Sequence, residues 1–378
     1  MIVHLFPGDI THLSASLIRS VQTHSKLDHL FLVPVFDPEN EKLYTRLSEE
    51  NPSLKIQVFD SSYRTRSSVF LMFLLGHRGE KLIQEATIAS ILFKHKKEPI
   101  VSHFYFKSYA LLPIFKMYTW VCWGNIPNTT FPLKRNRLKK LKFRYYTKYV
   151  LRSCKHIVTL MNPDKDKLVN TFKCKDAAVS VIPYIANEFK DIPAYQLKEH
   201  GEQTTILLGN SLHLIDSYIS ILPHLKFYAN ETILYALMSY GNASKKDEET
   251  FLQTAKEIYG NNFVPVYEFI PAEKYNAWLN QFDIYLCNTQ NQSGLGAIYR
   301  MINLGKRLFL NGYNYEWCKR NDIIVSHVSA LAAGNKDTLF PLSEDEKKQN
   351  RAMLNKLLDT ETLTNNWDNF YLRISNAG

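Results

Sequence analysis

Short apolar runs alternate with amphipathic helical patterns along almost the whole chain. Apolar runs bounded by polar or turn residues are typical of strands in a parallel sheet, which is covered on both faces. Strands are predicted at 2–6, 29–35, 54–59, 100–104, 119–123, 157–160, 179–182, 204–208, 232–237, 263–266, 284–287 and 307–310. Between them, apolar residues recur at helical spacing, most clearly at 81–96, 136–152, 245–259 and 271–281.

The alternation also predicts the domain organisation. Strands that alternate with helices form doubly wound α/β sheets of the Rossmann-like type. A polar stretch at 187–203 interrupts the pattern, which then restarts. We therefore predict two Rossmann-like domains, 1–190 and 191–350, that face a central cleft, and a helical segment at 351–378 that packs back on the N-terminal domain. Ligands of such sheets bind at the carboxyl ends of the strands, so the cleft is the expected site.

The stretch 283–311 contains the strongest candidate for a binding site. A buried strand ends there in a polar loop, and a helix begins at a pair of glycines. The first amides of a helix lack intrahelical partners and carry the positive end of its dipole, and glycines let a diphosphate approach closely. The loop amides suit sugar hydroxyls, which indicates a nucleotide-sugar site, with an ordinary strand-to-helix turn as the alternative. The residues concerned are Asn288, Gln292, Gly294, Leu295 and Gly296.

Two further fragments place useful side chains at strand ends. Gly209, Asn210 and Ser211 follow the first strand of the second domain, where a turn of small residues either cradles a phosphate or caps a helix. Asp9 and His12 follow the first strand of the N-terminal domain. Either could act as a general base, and Asp9 could equally be a helix cap.

Two other fragments are candidates, the first for binding the acceptor and the second for binding a metal ion. Trp123, Gly124 and Asn125 end a strand of the N-terminal domain, where they would shape an acceptor pocket. Asp164 and Asp166 have a DxD spacing that can hold a metal ion. They lie where a helix begins, however, and acidic residues there are ordinary partners of the helix dipole. We expect no metal ion and no other cofactor.

Composition indicates an ordinary globular protein. Apolar residues make up 45% of the chain, which excludes a disordered or fibrous protein. The start, MIVHLFPGD, lacks the features of a signal peptide, and no apolar run is long enough to span a bilayer. The five cysteines are scattered without CxxC spacing, so we expect reduced core residues rather than disulfides or a zinc site. The expected location is the cytoplasm.

The net charge of +10 is concentrated in the N-terminal domain, where no Asp or Glu occurs between Pro99 and Pro163. Apolar residues at helical spacing, Leu138, Leu141 and Tyr145, lie among the cations. Such a stripe can enter lipid headgroups while the cations meet anionic lipid, so the segment favours peripheral attachment to a membrane. A solvated basic helix is the alternative. Nucleic acid is disfavoured because no nucleic-acid-binding motif is present. The cations assigned to this surface are Lys134, Arg135, Arg137, Lys139, Lys140, Lys142 and Arg144.

An ordered set of sequence blocks resembles a known family. The blocks are HLFPGDITH at 4–12, TWVCWGN at 119–125, ILLGNS at 206–211, MSYGN at 238–242, and a longer one from Tyr275 to Asn311 followed by Asn314 and Trp317. Together they resemble the bacterial TDP-4-acetamido-4,6-dideoxygalactose:lipid-linked-disaccharide transferases, the fucosamine transferases of enterobacterial common antigen assembly. The resemblance covers nearly the whole chain.

The resemblance implies an inverting glycosyltransferase of the GT-B type. It would move an amino-deoxy sugar from a nucleotide sugar to a polyprenyl diphosphate-linked saccharide, at the inner face of the plasma membrane. In a single displacement, Asp9 is the first choice for the base and His12 the second. The helix amides at 294–297 and the turn at 209–211 would stabilise the departing diphosphate without a metal. Tyr240 and Asn288 are weaker candidates for contacts to the nucleotide base and the sugar of the donor.

The sequence departs from the family in the loop at 291–294. Asn291 stands where the family has an arginine, so a cation expected on the donor diphosphate is missing. Arg300, Lys306 or Arg307 are the candidates to replace it; otherwise the donor differs. A different class of function also remains open, namely a non-catalytic protein that binds saccharide or lipid at the membrane surface. Such a protein would tolerate Asp9→Asn.

Overall fold

The protein forms two compact units. The computed structural model describes residues 1–6, 12–35, 45, 47–60, 88, 90–103, 118–123, 148–149, 151–152, 154–184 and 203–376. Residues 1–186 and 360–378 form the first unit, and residues 187–359 form the second. The second unit therefore extends nine residues beyond the predicted boundary at 350, as 359 − 350 = 9, and the chain returns to the first unit only at residue 360.

Strands and helices alternate along the described residues. The strands are β1 (Ile2–Leu5), β2 (His29–Val35), β3 (Ile56–Asp60), β4 (Ile100–His103), β5 (Tyr118–Cys122), β6 (His156–Thr159), β7 (Val179–Val181), β8 (Thr204–Leu208), β9 (Thr232–Leu237), β10 (Phe263–Val266), β11 (Ile284–Cys287), β12 (Arg307–Leu310) and β13 (Ser326–His327). The α-helices are α1 (His12–His24), α2 (Asn162–Asn170), α3 (Ile215–Leu225), α4 (Lys245–Tyr259), α5 (Ala272–Asn280), α6 (Leu295–Asn303), α7 (Gly312–Arg320), α8 (Glu344–Leu357) and α9 (Thr360–Asn376).

The first unit contains a seven-stranded sheet in the order β3-β2-β1-β4-β5-β6-β7, with every pairing parallel. Alternate residues of β1 enter different cores, because successive side chains of a strand point to opposite faces. Val3 and Leu5 pack with residues of α2, whereas Phe6 packs with α1. Both faces of the sheet are therefore covered, as a parallel sheet requires.

Helix α9 belongs to the first unit although it ends the chain. Its apolar stripe buries Trp367, Phe370 and Tyr371. The indole Nε1 of Trp367 donates to the carbonyl of Pro183 at 2.9 Å, and the ring of Tyr371 meets that of His4 edge-on at 5.5 Å between centroids. The helix thus closes part of one face of the sheet.

The second unit contains a six-stranded sheet in the order β10-β9-β8-β11-β12-β13, again with every pairing parallel. The predicted class, α/β with two doubly wound parallel sheets, is confirmed. Strand β13 is the one strand of this sheet that the sequence did not predict, because two residues are too few to show a pattern. The five cysteines are free and buried, as predicted. Within the described residues, no helix is long and apolar enough to cross a membrane.

Candidate functional site

Four neighbouring strands of the second unit end in polar or glycine-containing loops. The sheet order places β9, β8, β11 and β12 side by side, and their pairings are parallel. Their carboxyl ends therefore lie along one edge of the sheet, which is where ligands of such sheets bind. We call this the polar edge. It is formed by the loops 209–214, 238–244, 288–294 and 311–312.

The turn after β8 is held rigidly. Gly209 has a left-handed backbone (φ +67°), and its amide donates to the carbonyl of Leu286 at 2.8 Å. A Cβ at this position would lie 2.2 Å from the ring of Tyr218, so only glycine fits. The hydroxyl of Tyr218 in turn accepts from the amide of Ser211 at 3.0 Å. The turn is thus fixed to both the sheet and α3.

Ser211 connects this turn to the loop after β9. Its Oγ accepts from the amide of His213 at 3.3 Å and donates to the carbonyl of Tyr240 at 3.3 Å. A Cβ on Gly241, which has φ +91°, would lie 2.5 Å from the same oxygen. Ser211 therefore acts as a cap and a connector. Tyr240 is 58% exposed and is therefore accessible from solvent.

The N-terminus of α6 meets the Gly209 turn. Gly294, the N-cap residue, is left-handed (φ +66°), and a Cβ there would lie 2.9 Å from the side chain of Asn210. The hydroxyl of Ser293 donates to Asn210 Oδ1 at 3.4 Å. Within the described ranges no side chain caps α6, so the amides that follow Gly294, those of Leu295 and Gly296, can bind a ligand. The two motifs singled out in the sequence thus form one site.

The predicted amide side chains of the loop after β11 differ in their availability. Asn288 is held within the protein, because its Nδ2 donates to Ser220 Oγ at 3.0 Å and its Oδ1 accepts from Asn311 at 2.8 Å. Gln292 is different, since its Oε1 is buried and has no hydrogen-bond partner in the described part of the chain. Asn288 therefore positions the loop, whereas the acceptor capacity of Gln292 Oε1 is not used by any described residue.

The three cations proposed to replace the missing arginine differ in their positions. Arg300 donates through Nε to Asn276 Oδ1 at 2.6 Å and through a terminal nitrogen to the carbonyl of Gly296 at 3.1 Å, so it joins α6 to α5. Lys306 precedes β12 and Arg307 begins it. Both are thus at the amino end of the strand, opposite the polar edge, and the expectation that they contact the diphosphate is wrong. A role for Arg300 in donor binding stays a prediction.

In the first unit, part of the predicted site lies outside the described residues. This applies to Asp9, Gly124, Asn125 and the cations of 134–144. His12 is the first residue of α1. Trp123 directly follows β5 and is half-buried, with its ring 4.2 Å from that of Tyr184 between centroids.

The two acidic residues of the DxD spacing both lie in α2. Asp164 lies in the first turn of α2 and is 1% exposed, and its Oδ2 has no hydrogen-bond partner among the described residues. Burial raises the pKa of this carboxyl to about 7. Across the described ranges, no group of three or more His, Cys, Asp or Glu side chains could hold a metal ion.

Comparison with known proteins identifies the architecture. No protein-family model and no curated protein matches the chain. A glycosyltransferase from Rickettsia africae ESF-5 matches with a TM-score of 0.65 at 15% identity, over 99% of this chain and 98% of the other. A sucrose-phosphate synthase from Thermosynechococcus elongatus matches with a TM-score of 0.67 at 12% identity, over 100% of both chains. The chain has the GT-B fold.

A further GT-B match is a structure that contains a nucleotide. HepE from Anabaena, crystallised with UDP and glucose, matches with a TM-score of 0.64 at 10% identity, over 98% of both chains. At such low identities the likeness establishes the fold. What this GT-B chain binds depends on its own residues.

One residue of this GT-B chain supports the polar edge from beneath. Asn314 on α7 is fully buried, donates to the carbonyl of Ser293 at 2.8 Å and accepts from the amide of Ser293 at 3.4 Å. It therefore fixes the loop that leads into Gly294. In the sequence, Asn314 stood out only because it matches the family pattern. Its role could not be predicted, because the hydrogen-bond partner of a buried side-chain amide depends on tertiary packing.

Proposed function

We propose that the chain is a glycosyltransferase that binds a nucleoside diphosphate sugar at the polar edge of its second unit. It transfers the sugar, with inversion, to a polyprenyl diphosphate-linked saccharide. The observation that carries the proposal is the contact between Asn210 and Gly294, which brings a glycine turn against the uncapped N-terminus of α6. Backbone amides at such a junction bind phosphate oxygens.

The same junction suits the chemistry of the reaction. As the bond from the anomeric carbon to the diphosphate breaks, negative charge grows on the departing oxygens. Fixed amide dipoles at the start of α6 stabilise that charge without having to reorganise. Because Lys306 and Arg307 lie at the opposite end of β12, the backbone amides carry a larger share of this stabilisation than in a site with a guanidinium. No metal ion is required in this scheme.

The acceptor side belongs to the first unit. Asp9 is the proposed base and His12 the alternative, since both follow β1 in the sequence. Removal of the acceptor proton raises the nucleophilicity of the attacking hydroxyl as it approaches the anomeric carbon. The basic segment that contains Lys134 to Arg144 would hold the lipid-linked acceptor and the membrane surface.

A donor screen tests the proposal. Purified protein is mixed with a detergent-solubilised polyprenyl diphosphate saccharide and a panel of UDP- and TDP-sugars, and release of nucleoside diphosphate is measured. We expect release that requires the acceptor and one donor of the panel. Asp9→Asn should then reduce the rate by about 10²-fold or more, the usual contribution of a general base.

Removal of metal ions provides the second arm of the screen. We expect the same rate with and without EDTA. A rate that EDTA abolishes would contradict the metal-free scheme and would direct attention to Asp164 and Asp166. A protein that binds the saccharide or lipid but leaves every donor intact would instead support the non-catalytic alternative.

A further inference from the structure

A line of hydrogen-bonded side chains crosses the first unit from one strand to the C-terminal helix. His103 Nε2 lies 2.8 Å from His4 Nδ1, and His4 Nε2 lies 2.8 Å from His29 Nδ1. His29 Nε2 lies 2.8 Å from Ser25 Oγ, which donates to Asp368 Oδ1 at 2.5 Å. The three imidazoles are buried, with 0%, 0% and 4% exposure for His4, His103 and His29, whereas Asp368 is partly exposed.

The carboxylate sets the direction of every bond in this line. An ionised carboxylate only accepts, so the single proton of Ser25 must point to Asp368, and Ser25 Oγ accepts from His29 Nε2–H. A neutral imidazole that donates through Nε2 accepts through Nδ1. His29 therefore accepts from His4 Nε2–H, and His4 in turn accepts from His103 Nε2–H. All three rings are then Nε2–H tautomers.

The line of hydrogen bonds ends at Nδ1 of His103, at the carboxyl end of β4. Nδ1 of His103 is its unprotonated atom and has no hydrogen-bond partner among the residues that the structure describes. His103 is the last residue of β4, and its ring stacks on that of Phe6 at 4.5 Å between centroids. Phe6 directly follows β1, at the end where the chain continues towards Asp9.

We propose that His103, His4, His29, Ser25 and Asp368 form a proton wire that takes up a proton at His103 Nδ1 and delivers one to Asp368. This inference rests on the proposed function, in which an acceptor hydroxyl loses a proton near the carboxyl ends of these strands. The ring proton on Nε2 of each histidine moves to Nδ1 of the next, that of His29 moves to Ser25, and that of Ser25 moves to the carboxylate. One proton enters and one is delivered, so charge and atoms balance.

Burial keeps the wire neutral until it receives a proton. The ring of Tyr371 on α9 packs edge-on against His4 and His29. Burial has the largest effect on the pKa of His29 and lowers it, as does the N-terminal amine, whereas Asp368 and Asp28, which is paired with Lys55 at 2.9 Å, raise it. Burial lowers the pKa values of His103 and His29, to about 3 and about 4, so neither ring holds a second proton at neutral pH. Such a ring can pass a proton on without retaining it.

Ser25→Ala and Ser25→Thr form the test pair, because the first removes the hydroxyl and the second keeps it. The full-length protein is labelled with ¹⁵N-histidine, and the ring nitrogens are assigned by NMR. In the wild type and in Ser25→Thr, we expect a protonated Nε2 and a bare Nδ1 on all three rings. In Ser25→Ala, His29 loses its acceptor, and the ¹⁵N signals of His103, two rings away, should shift. A purely structural role of Ser25 would leave His103 unchanged.

The kinetic arm uses the same variants and the donor found by the screen. We expect Ser25→Ala to lower kcat by about tenfold or more with an unchanged KM for the donor, because only the proton transfer is impaired. Ser25→Thr should retain the wild-type rate. An active wild type whose kcat is unaffected by Ser25→Ala would overturn the wire. So would an Nδ1–H tautomer at His103.

A chain that is inactive with every donor would refute the proposed function but not by itself the wire. In that case the NMR arm decides. A shift at His103 in Ser25→Ala, and none in Ser25→Thr, supports the coupled line of protons. Equal spectra in both variants reject it.

Discussion

Gly294 meets two separate demands at the polar edge. Its backbone is left-handed, a conformation that costs an L-residue about 1–2 kcal/mol. A Cβ would also lie 2.9 Å from Asn210 and 3.0 Å from the hydroxyl of Tyr285. The second demand is the one that concerns ligand binding, because a displaced Asn210 would enter the space next to the first amides of α6.

Gly294→Ala should therefore weaken donor binding beyond its effect on stability. The matched control is Gly334→Ala, which also has a left-handed backbone (φ +64°) but lies beside the exposed ring of Phe227. We expect both variants to lose about 1 kcal/mol of unfolding free energy. Only Gly294→Ala should raise the dissociation constant for the nucleoside diphosphate, by roughly tenfold, as one displaced contact of about 1.4 kcal/mol would. Calorimetric titration measures the dissociation constant of each variant. Equal affinities of the two variants would place the diphosphate elsewhere.

Asn314 permits a second prediction for a single residue. Asn314→Leu would leave both the amide and the carbonyl of Ser293 without their side-chain partner inside the protein. Each unsatisfied buried group costs about 1–3 kcal/mol, so the variant should lose roughly 2–4 kcal/mol in urea unfolding. Asn321→Leu, which removes one bond to the carbonyl of Trp317 at the end of α7, is the control and should lose less than about 1.5 kcal/mol. Equal losses would show that Asn314 does not support the loop.

Three adjacent strands each contribute one buried histidine to the same face of the first sheet. These are His4 on β1, His29 on β2 and His103 on β4. Burial lowers the pKa of each, most clearly for His4. At pH values between 6.5, the ordinary pKa of histidine, and the lowered pKa values of the folded state, these histidines bind protons in the unfolded chain but not in the folded chain. Stability must therefore fall as the pH falls through this window.

Acid sensitivity of the first unit should follow from these strands. Each histidine contributes about 1 kcal/mol per pH unit below pH 6. Asp164 acts in the opposite direction, since its raised pKa costs stability as the pH rises towards 7. The three buried histidines outweigh the one carboxyl, and His156, whose pKa burial also lowers, acts in the same direction, so the net loss should be at least roughly 2 kcal/mol per pH unit between pH 6 and 4.5. Urea unfolding of the wild type and of His29→Gln measures this, and the variant should show a smaller slope. A stability that is constant over this range would contradict the burial of neutral histidines.

Chain connectivity makes the first unit dependent on the end of the chain. Helix α9 supplies Trp367, Phe370 and Tyr371 to the core of the first unit, although the whole second unit separates it from residue 186. Truncation of one large buried aromatic side chain costs about 3–5 kcal/mol. Loss of all three is comparable with the whole stability of a domain, about 5–15 kcal/mol.

A chain that stops at Asp359 should therefore keep the second unit folded and lose the first. We expect two unequal outcomes in limited proteolysis, with rapid cleavage within residues 1–186 and a protected fragment that contains residues 203–359. Deletion of residues 377–378 alone is the control and should leave both units protected. A truncated chain with an intact first unit would show that α9 is dispensable for it.

The sequence by itself determined the elements and the motifs. Strands β8, β9, β11 and β12 have the predicted bounds, because each is an apolar run bounded by turns. Gly209 and Gly294 were recognisable as turn residues for the same reason. Residue type and spacing determine the backbone conformation over a few neighbouring residues. Such features can therefore be predicted from a short stretch of sequence.

Tertiary structure alone decided which motifs meet and which side chains are used elsewhere. Asn210 touches Gly294 because β8 and β11 are neighbours in the sheet, although two strands and three α-helices separate them along the chain. Arg300 is hydrogen-bonded to Asn276 because α5 packs against α6. The histidine line needs three strands and the last helix together. Strand order and helix packing follow from burial of apolar surface across the whole chain, so no local pattern encodes these contacts.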